Sequence, residues 1–247
     1  MSVDQDTRTG TAAQDSKTIR TLRRGIGMVG LLLPPAVTVG AYRSERGLPG
    51  SMSATYYTGA RDVFVGGLCA IGVFLICYRP DTVNRASFWR TENFWSTVAG
   101  TAAVVVALFP TLPNQAEVVV TAADRRVGLI HGASAIVLFG VLAVFCLVFF
   151  PRVASPRPTD GKLWRNKVYR SCGLVILAAI VIALLSSALL PENVYAWANP
   201  LLWCEAAAVW AFAAAWFVKG ETVLTDAQVS NLRSGRARRW SEAPAGG

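Results

Sequence analysis

Long apolar runs alternate with short polar segments along the whole chain. The pattern predicts six membrane-spanning helices at about 25–42, 58–78, 94–111, 127–150, 169–190 and 200–220. Each run is close to the ~20 residues a helix needs to cross a ~30 Å hydrocarbon layer. The segment 1–24 is polar, shows no apolar periodicity and reads as a disordered cytoplasmic tail; 221–247 reads as a second cytoplasmic tail. Neither is long enough to build a core of its own.

Breaks within the runs refine this picture. Pro34-Pro35 sits in the middle of the first span, where proline deletes backbone donors and clashes with the preceding turn, so this helix should be kinked or broken. A cleaved leader is the competing reading of this run, against which stand the long polar segment before it and the topology that an uncleaved span gives. The loop after it holds Gly47, Pro49, Gly50, Ser51 and Ser53, all turn formers, and Thr58 is the expected N-cap of the second span. Gly66, Gly67 and Gly72 should let another backbone approach that span closely. Trp89 and Trp95 suit a membrane interface, and Pro110 and Pro113 end the third span. The fourth span carries the only histidine, His131, beside a Gly128-x-x-x-Gly132 contact pattern.

Composition agrees with a membrane protein. Of 247 residues, 53% are hydrophobic and only 16% charged, whereas soluble domains are charged at roughly a quarter of their positions. Cys69, Cys77, Cys146, Cys172 and Cys204 all fall inside apolar runs, which argues against a disulfide framework, and no Cys-x-x-Cys or Cys-His pairing suggests a metal. The net charge of +9 is topological in its distribution and does not point to nucleic acid. The segments 1–24, 79–90, 152–170 and 219–247 hold 19 of the 24 Lys and Arg. The positive-inside rule then places both termini in the cytoplasm, which requires an even number of spans.

With that topology the second, fourth and sixth spans enter from the outer side, and sequence position becomes depth. Arg61 and Asp62 lie at the outer mouth, while His131 and Glu205 each lie about four residues in, or ~6 Å at 1.5 Å per residue. Ionisable groups at such depth are expensive unless partnered, and they are functional candidates. Tyr56, Tyr57, Arg61, Asp62, His131 and Glu205 form the expected ligand-binding cluster, with Thr111 and Ser186-Ser187 as candidates for the same layer. In the structural reading Arg61 pairs with Glu205, while His131 donates to a carbonyl or to Asp62. In the functional reading the cluster is an outward-facing pocket for a polar head, with Arg61 as its anion contact. A hydrolytic site using His131 with Asp62 or Glu205 is a third possibility; a lone histidine without a second at i+3 or i+4 is a poor metal signature.

Elsewhere the bland readings suffice. The stripe Glu205, Val209, Phe212, Trp216 marks the inward face of the sixth span, and the basic loop near 152–170 is explained by topology. Arg233, Arg236, Arg238 and Arg239 with Trp240 read as solvated tail. There is no phosphate-binding glycine loop, serine nucleophile elbow or internal repeat.

At Ser53-Ala54-Thr55-Tyr56-Tyr57-Thr58-Gly59-Ala60-Arg61-Asp62-Val63-Phe64-Val65-Gly66, the chain resembles a widespread set of uncharacterised bacterial multipass proteins. The likeness continues at Ala107-Leu108-Phe109-Pro110-Thr111, Ile130-His131, Arg165-Asn166-Lys167-Val168-Tyr169-Arg170, Trp203-Cys204-Glu205 and Trp210-Ala211-Phe212. It implies a shared fold and supports the same polar residues, without an activity to carry over. In its six spans and the polar motif before the second, the chain is also similar to the DRAM and FGF-receptor-activating-protein membrane family, some members of which are linked to lipid or GPI-anchor handling.

The expectation is therefore an all-α six-transmembrane helical bundle of a bacterial inner membrane, with N- and C-termini cytoplasmic. Its expected partners are membrane lipids and a lipid or small polar ligand that it binds or passes, without cofactor, metal or nucleic acid. The alternatives are an intramembrane hydrolase and a structural or assembly protein.

Overall fold

The computed structural model describes residues 2–45, 47–80, 91–113, 119–152 and 159–220, with side chains from Lys17 onward. The C-terminal tail 221–247, Trp89 and residues 153–158 of the basic loop lie outside the described residues. Within them the chain is all-helical, without a strand: α1 (Ser2–Glu45), α2 (Arg61–Cys77), α3 (Glu92–Leu108), α4 (Ala122–Val144), α5 (Asp160–Leu189), α6 (Glu192–Ala198) and α7 (Pro200–Lys219). A 3-10 turn, Ser53–Tyr57, precedes α2, and a π turn, Phe145–Phe149, extends α4.

Local chemistry explains most of the boundaries. Thr91, Thr121 and Thr159 cap α3, α4 and α5, each hydroxyl accepting from the N–H three residues on. At α4 the cap is reciprocal, because Asp124 Oδ2 also accepts from the Thr121 N–H at 2.9 Å. Asn199 takes φ 44°, a left-handed conformation that Asn tolerates, and lets Pro200 open α7 directly after α6.

Several boundaries differ from the sequence expectation. The leader 1–24 is helical from Ser2 and runs into the first apolar segment, and it holds no proline to stop it. Thr58 does not cap the second span: α2 starts at Arg61, and the Thr58 hydroxyl instead bonds the Thr55 carbonyl and the Ala60 N–H. The start of α5 reaches back to Asp160, so Lys162, Arg165 and Lys167 stand on a helix and not in a loop. Pro34-Pro35 does not break α1. Pro35 has no N–H for the Leu31 carbonyl four residues earlier, and Trp210 Nε1 of α7 donates to that carbonyl at 3.2 Å.

The six long helices close a ring. α1 packs on α2, α2 on α3, α3 on α4, α4 on α5, α5 on α7 and α7 back on α1, whereas α4 and α7 barely touch across it. The tightest seam is α2–α3, where a Cβ on Gly100 would lie 2.5 Å from the Gly72 carbonyl oxygen. Of the other glycines expected at such contacts, Gly67 faces the Leu33 side chain and Gly66 faces open space.

Val209, Phe212 and Trp216 do form the buried face of α7. Trp216 is surrounded by Tyr78, Phe145, Phe150 and Phe212, with ring centroids 4.9 to 6.1 Å away. At this end Arg23 donates to the Tyr78 hydroxyl, which donates to Glu92 Oε2 at 3.3 Å, and Lys162 Nζ donates to the Phe150 carbonyl at 2.8 Å. These contacts tie α1, α2, α3 and α5 together beside the aromatic cluster.

Four described helical segments, Lys17–Glu45, Ala122–Phe149, Asp160–Leu189 and Pro200–Lys219, are long and apolar enough to cross a membrane. α2 and α3 are apolar but have 17 residues each, a rise of about 25 Å.

Candidate functional site

The roof at one end of the ring is the segment between α1 and α2. Ser51 Oγ accepts from the Ala54 N–H at 2.9 Å, and the Thr55 hydroxyl donates to the Met52 carbonyl, so short side chains close a tight turn where Pro49 and Gly50 have reversed the chain. The turn has two free backbone donors at its start. Both point at Glu205: the Met52 N–H lies 2.6 Å and the Ser53 N–H 3.3 Å from Oε2, while the Ser53 hydroxyl donates to Oε1 at 3.2 Å. One carboxylate on α7 therefore caps a turn some 150 residues earlier. From the side, the Tyr57 hydroxyl donates to the Thr111 carbonyl at 2.6 Å and fastens the roof to the chain leaving α3. Burial raises the Tyr57 pKa, and the charge of Asp124 at the start of α4 adds to the shift.

His131 is only 5% exposed, and its Nδ1 lies 2.7 Å from the Phe109 carbonyl. A carbonyl can only accept, so Nδ1 carries the proton, and the Val106 carbonyl also interacts with the ring. The expected donation of His131 to a carbonyl is thus found, and Asp62 is not its partner.

Below the roof lies a cavity of about 240 Å³ between α4, α5 and α7. Ser51, Ser53, Thr111, His131 and Glu205 supply its polar end; Ala135, Phe139, Ala179, Ile180, Leu201 and Ala208 are among its apolar walls. Its size approaches the ~300 Å³ at which small-molecule sites begin. Two wall residues, Ile136 on α4 and Leu184 on α5, are each 56% exposed, so the cavity opens sideways between these helices. At their other ends α4 and α5 are close: a Cβ on Gly173 would meet Leu147 Cγ at 2.5 Å. Near the cavity Gly132 has nothing within 4 Å of a built Cβ. The Gly128-x-x-x-Gly132 pattern is therefore no helix contact; Gly128 packs on Leu112 and Gly132 leaves space in the cavity wall. A smaller cavity of about 40 Å³ lies on the ring's inner side, lined by Leu33, Phe64, Leu68 and Phe212, and Glu205 borders both.

The expected cluster is thus divided. His131 and Glu205 share the cavity, with Thr111, while Tyr56, Tyr57, Arg61 and Asp62 do not line it. Arg61 is exposed; its Nη2 donates to the Tyr56 hydroxyl at 2.6 Å and its guanidinium stacks on that ring at 4.2 Å. The expected Arg61–Glu205 pair is absent: Arg61, the first residue of α2, reaches out to Tyr56, and Glu205 is engaged by Met52 and Ser53. Asp62 is exposed beside it. Ser186 and Ser187 bond carbonyls of their own helix and stay outside the cavity.

Ser51 and Ser53 were legible only as turn formers and Met52 was not singled out; the backbone donors of Met52 and Ser53 are the part of the site with no side-chain signature. Tyr195 of α6 is a further neighbour, its pKa raised by burial and then by the Glu205 charge. Among the described residues no group of three or more His, Cys, Asp and Glu side chains is placed to hold a metal ion, and all five cysteines are free thiols. No family model matches the chain, and neither a curated protein nor a solved structure matches it.

Proposed function

We propose that this protein is a six-span inner-membrane protein of a bacterium, with both termini in the cytoplasm, that binds an amphiphile in the cavity between α4, α5 and α7. The carrying observation is the shape and chemistry of that cavity: apolar along its walls, polar only under the roof, and open at Ile136 and Leu184 on the face that lipid chains would cover. A chain enters such an opening without crossing water, and a head group finds its hydrogen-bond partners only at the end. The bias of Lys and Arg toward the segments away from the roof supports an outward-facing cavity. α2 and α3 complete the six spans where the bilayer thins slightly or flanking residues reach the interface, a modest cost for two short helices inside a ring.

Binding fits the geometry better than hydrolysis. Glu205 is engaged by Met52 and Ser53, and His131 by Phe109, so neither orients the other for proton transfer.

The test is photo-crosslinking in nanodiscs with an alkyl amphiphile bearing a diazirine along its chain. Adducts are expected at Ile136, Phe139, Ala183 and Leu184. Adducts spread evenly over outer-face residues such as Val148 and Leu174 would overturn the cavity as a binding site.

A further inference from the structure

We infer that the cavity takes a single-chain amphiphile whose head is a protonated primary amine, a conclusion that rests on the binding role proposed above. The polar end of the cavity is rich in acceptors and poor in charge of the opposite sign. Among the described residues Glu205 is the one acidic side chain in its wall, and no Lys or Arg lines it. The three groups that donate to Glu205 are two backbone N–H groups and a hydroxyl, all neutral. Arg61, the cation that depth alone would assign to it, is held on Tyr56.

A carboxylate removed from water and answered only by neutral donors is costly, and an ammonium brought beside it restores the balance of charge. Room for that contact exists, because two carboxylate oxygens accept about four hydrogen bonds and three are in use. A primary ammonium has three donors and no acceptor, which suits the remaining lone pair of Glu205. A phosphate or carboxylate head would meet like charge at Glu205 with no cation to offset it. The volume of about 240 Å³ also favours a compact head with the first part of one chain, the remainder leaving past Ile136 and Leu184.

The test is competition against the diazirine probe in zwitterionic nanodiscs at neutral pH, with dodecylamine, dodecanol and dodecyl phosphate as competitors. Dodecylamine is expected to halve labelling at Phe139 at a concentration about tenfold below either of the others, the scale of one charge-assisted hydrogen bond. In Glu205→Gln the advantage of dodecylamine over dodecanol should vanish. Dodecyl phosphate or dodecanol competing as well as the amine in the wild-type protein overturns the inference and leaves the cavity a binding site. Failure of all three to compete overturns the binding site itself. The wild-type comparison decides between these outcomes even where the Glu205 variant does not fold.

Discussion

The Glu205 carboxylate lies 2.6 Å from the backbone nitrogen of Met52, so a charge inside α7 serves to hold the turn that roofs the cavity. Removing it strands the two N–H groups of Met52 and Ser53 and the Ser53 hydroxyl. Glu205→Ala should therefore destabilise the protein by about 3 kcal/mol, read from unfolding in mixed detergent micelles. Arg61→Ala should leave the transition almost unchanged, because Arg61 shares no partner with Glu205. The double variant should equal the sum of the two within about 0.5 kcal/mol. Recovery of stability in the double variant would mean that the two charges pair after all.

Depth was legible in the sequence and direction was not. Counting residues from the expected span starts placed His131 and Glu205 at one level, and the structure places both in one cavity wall. The same count put Arg61 beside them, yet Arg61, although at helical spacing from the buried Phe64 and Leu68, is the first residue of α2 and turns its side chain out onto Tyr56. Spacing gives the height and face of a helical position, but not the direction in which a long side chain at the helix end extends. The threonines at 91, 121 and 159 are readable caps in retrospect, because each precedes an acidic residue in the first helical turn. Backbone donors in the roof had no such signal, since any residue could supply them.

At the α2–α3 seam, Gly100→Ala should be costly. Its new methyl would meet the Gly72 carbonyl oxygen at 2.5 Å and the Ile76 nitrogen at 2.9 Å, both backbone atoms that move only if the helices separate. Overpacking of this kind costs about 1–3 kcal/mol, only partly offset by the ~1 kcal/mol that alanine gains over glycine in a helix. Gly66→Ala, with open space at its Cβ, is the control and should be neutral or slightly stabilising. Equal melting of the two variants would contradict the close approach.

Topology follows from which end carries the roof. Val119 and Trp197 are 86% and 84% exposed and belong to the roof end, ahead of α4 and in α6. In a chain whose five cysteines are replaced by alanine, Val119→Cys and Trp197→Cys should react with a membrane-impermeant maleimide in intact cells. A cysteine introduced at Leu163, 47% exposed near the start of α5, should react only after the cells are opened. The reverse pattern would put the cavity on the cytoplasmic side.

Pro35 and Trp210 offer the sharpest check on the path of α1. The helix continues through Pro34-Pro35 although Pro35 gives the Leu31 carbonyl no donor, and the indole N–H of Trp210 fills that vacancy at 3.2 Å. Trp210→Phe keeps most of the ring's packing and removes the donor. It should cost about 1 kcal/mol, the net worth of a hydrogen bond between neutral groups. Pro35→Ala returns an N–H at position 35, which can close the i to i−4 bond to Leu31 inside the helix. In that background Trp210→Phe should cost little, because the carbonyl no longer depends on the indole. The two substitutions are thus expected to be non-additive, with a coupling close to the whole cost of Trp210→Phe. Additive losses would show that Trp210 stabilises α1 through packing alone.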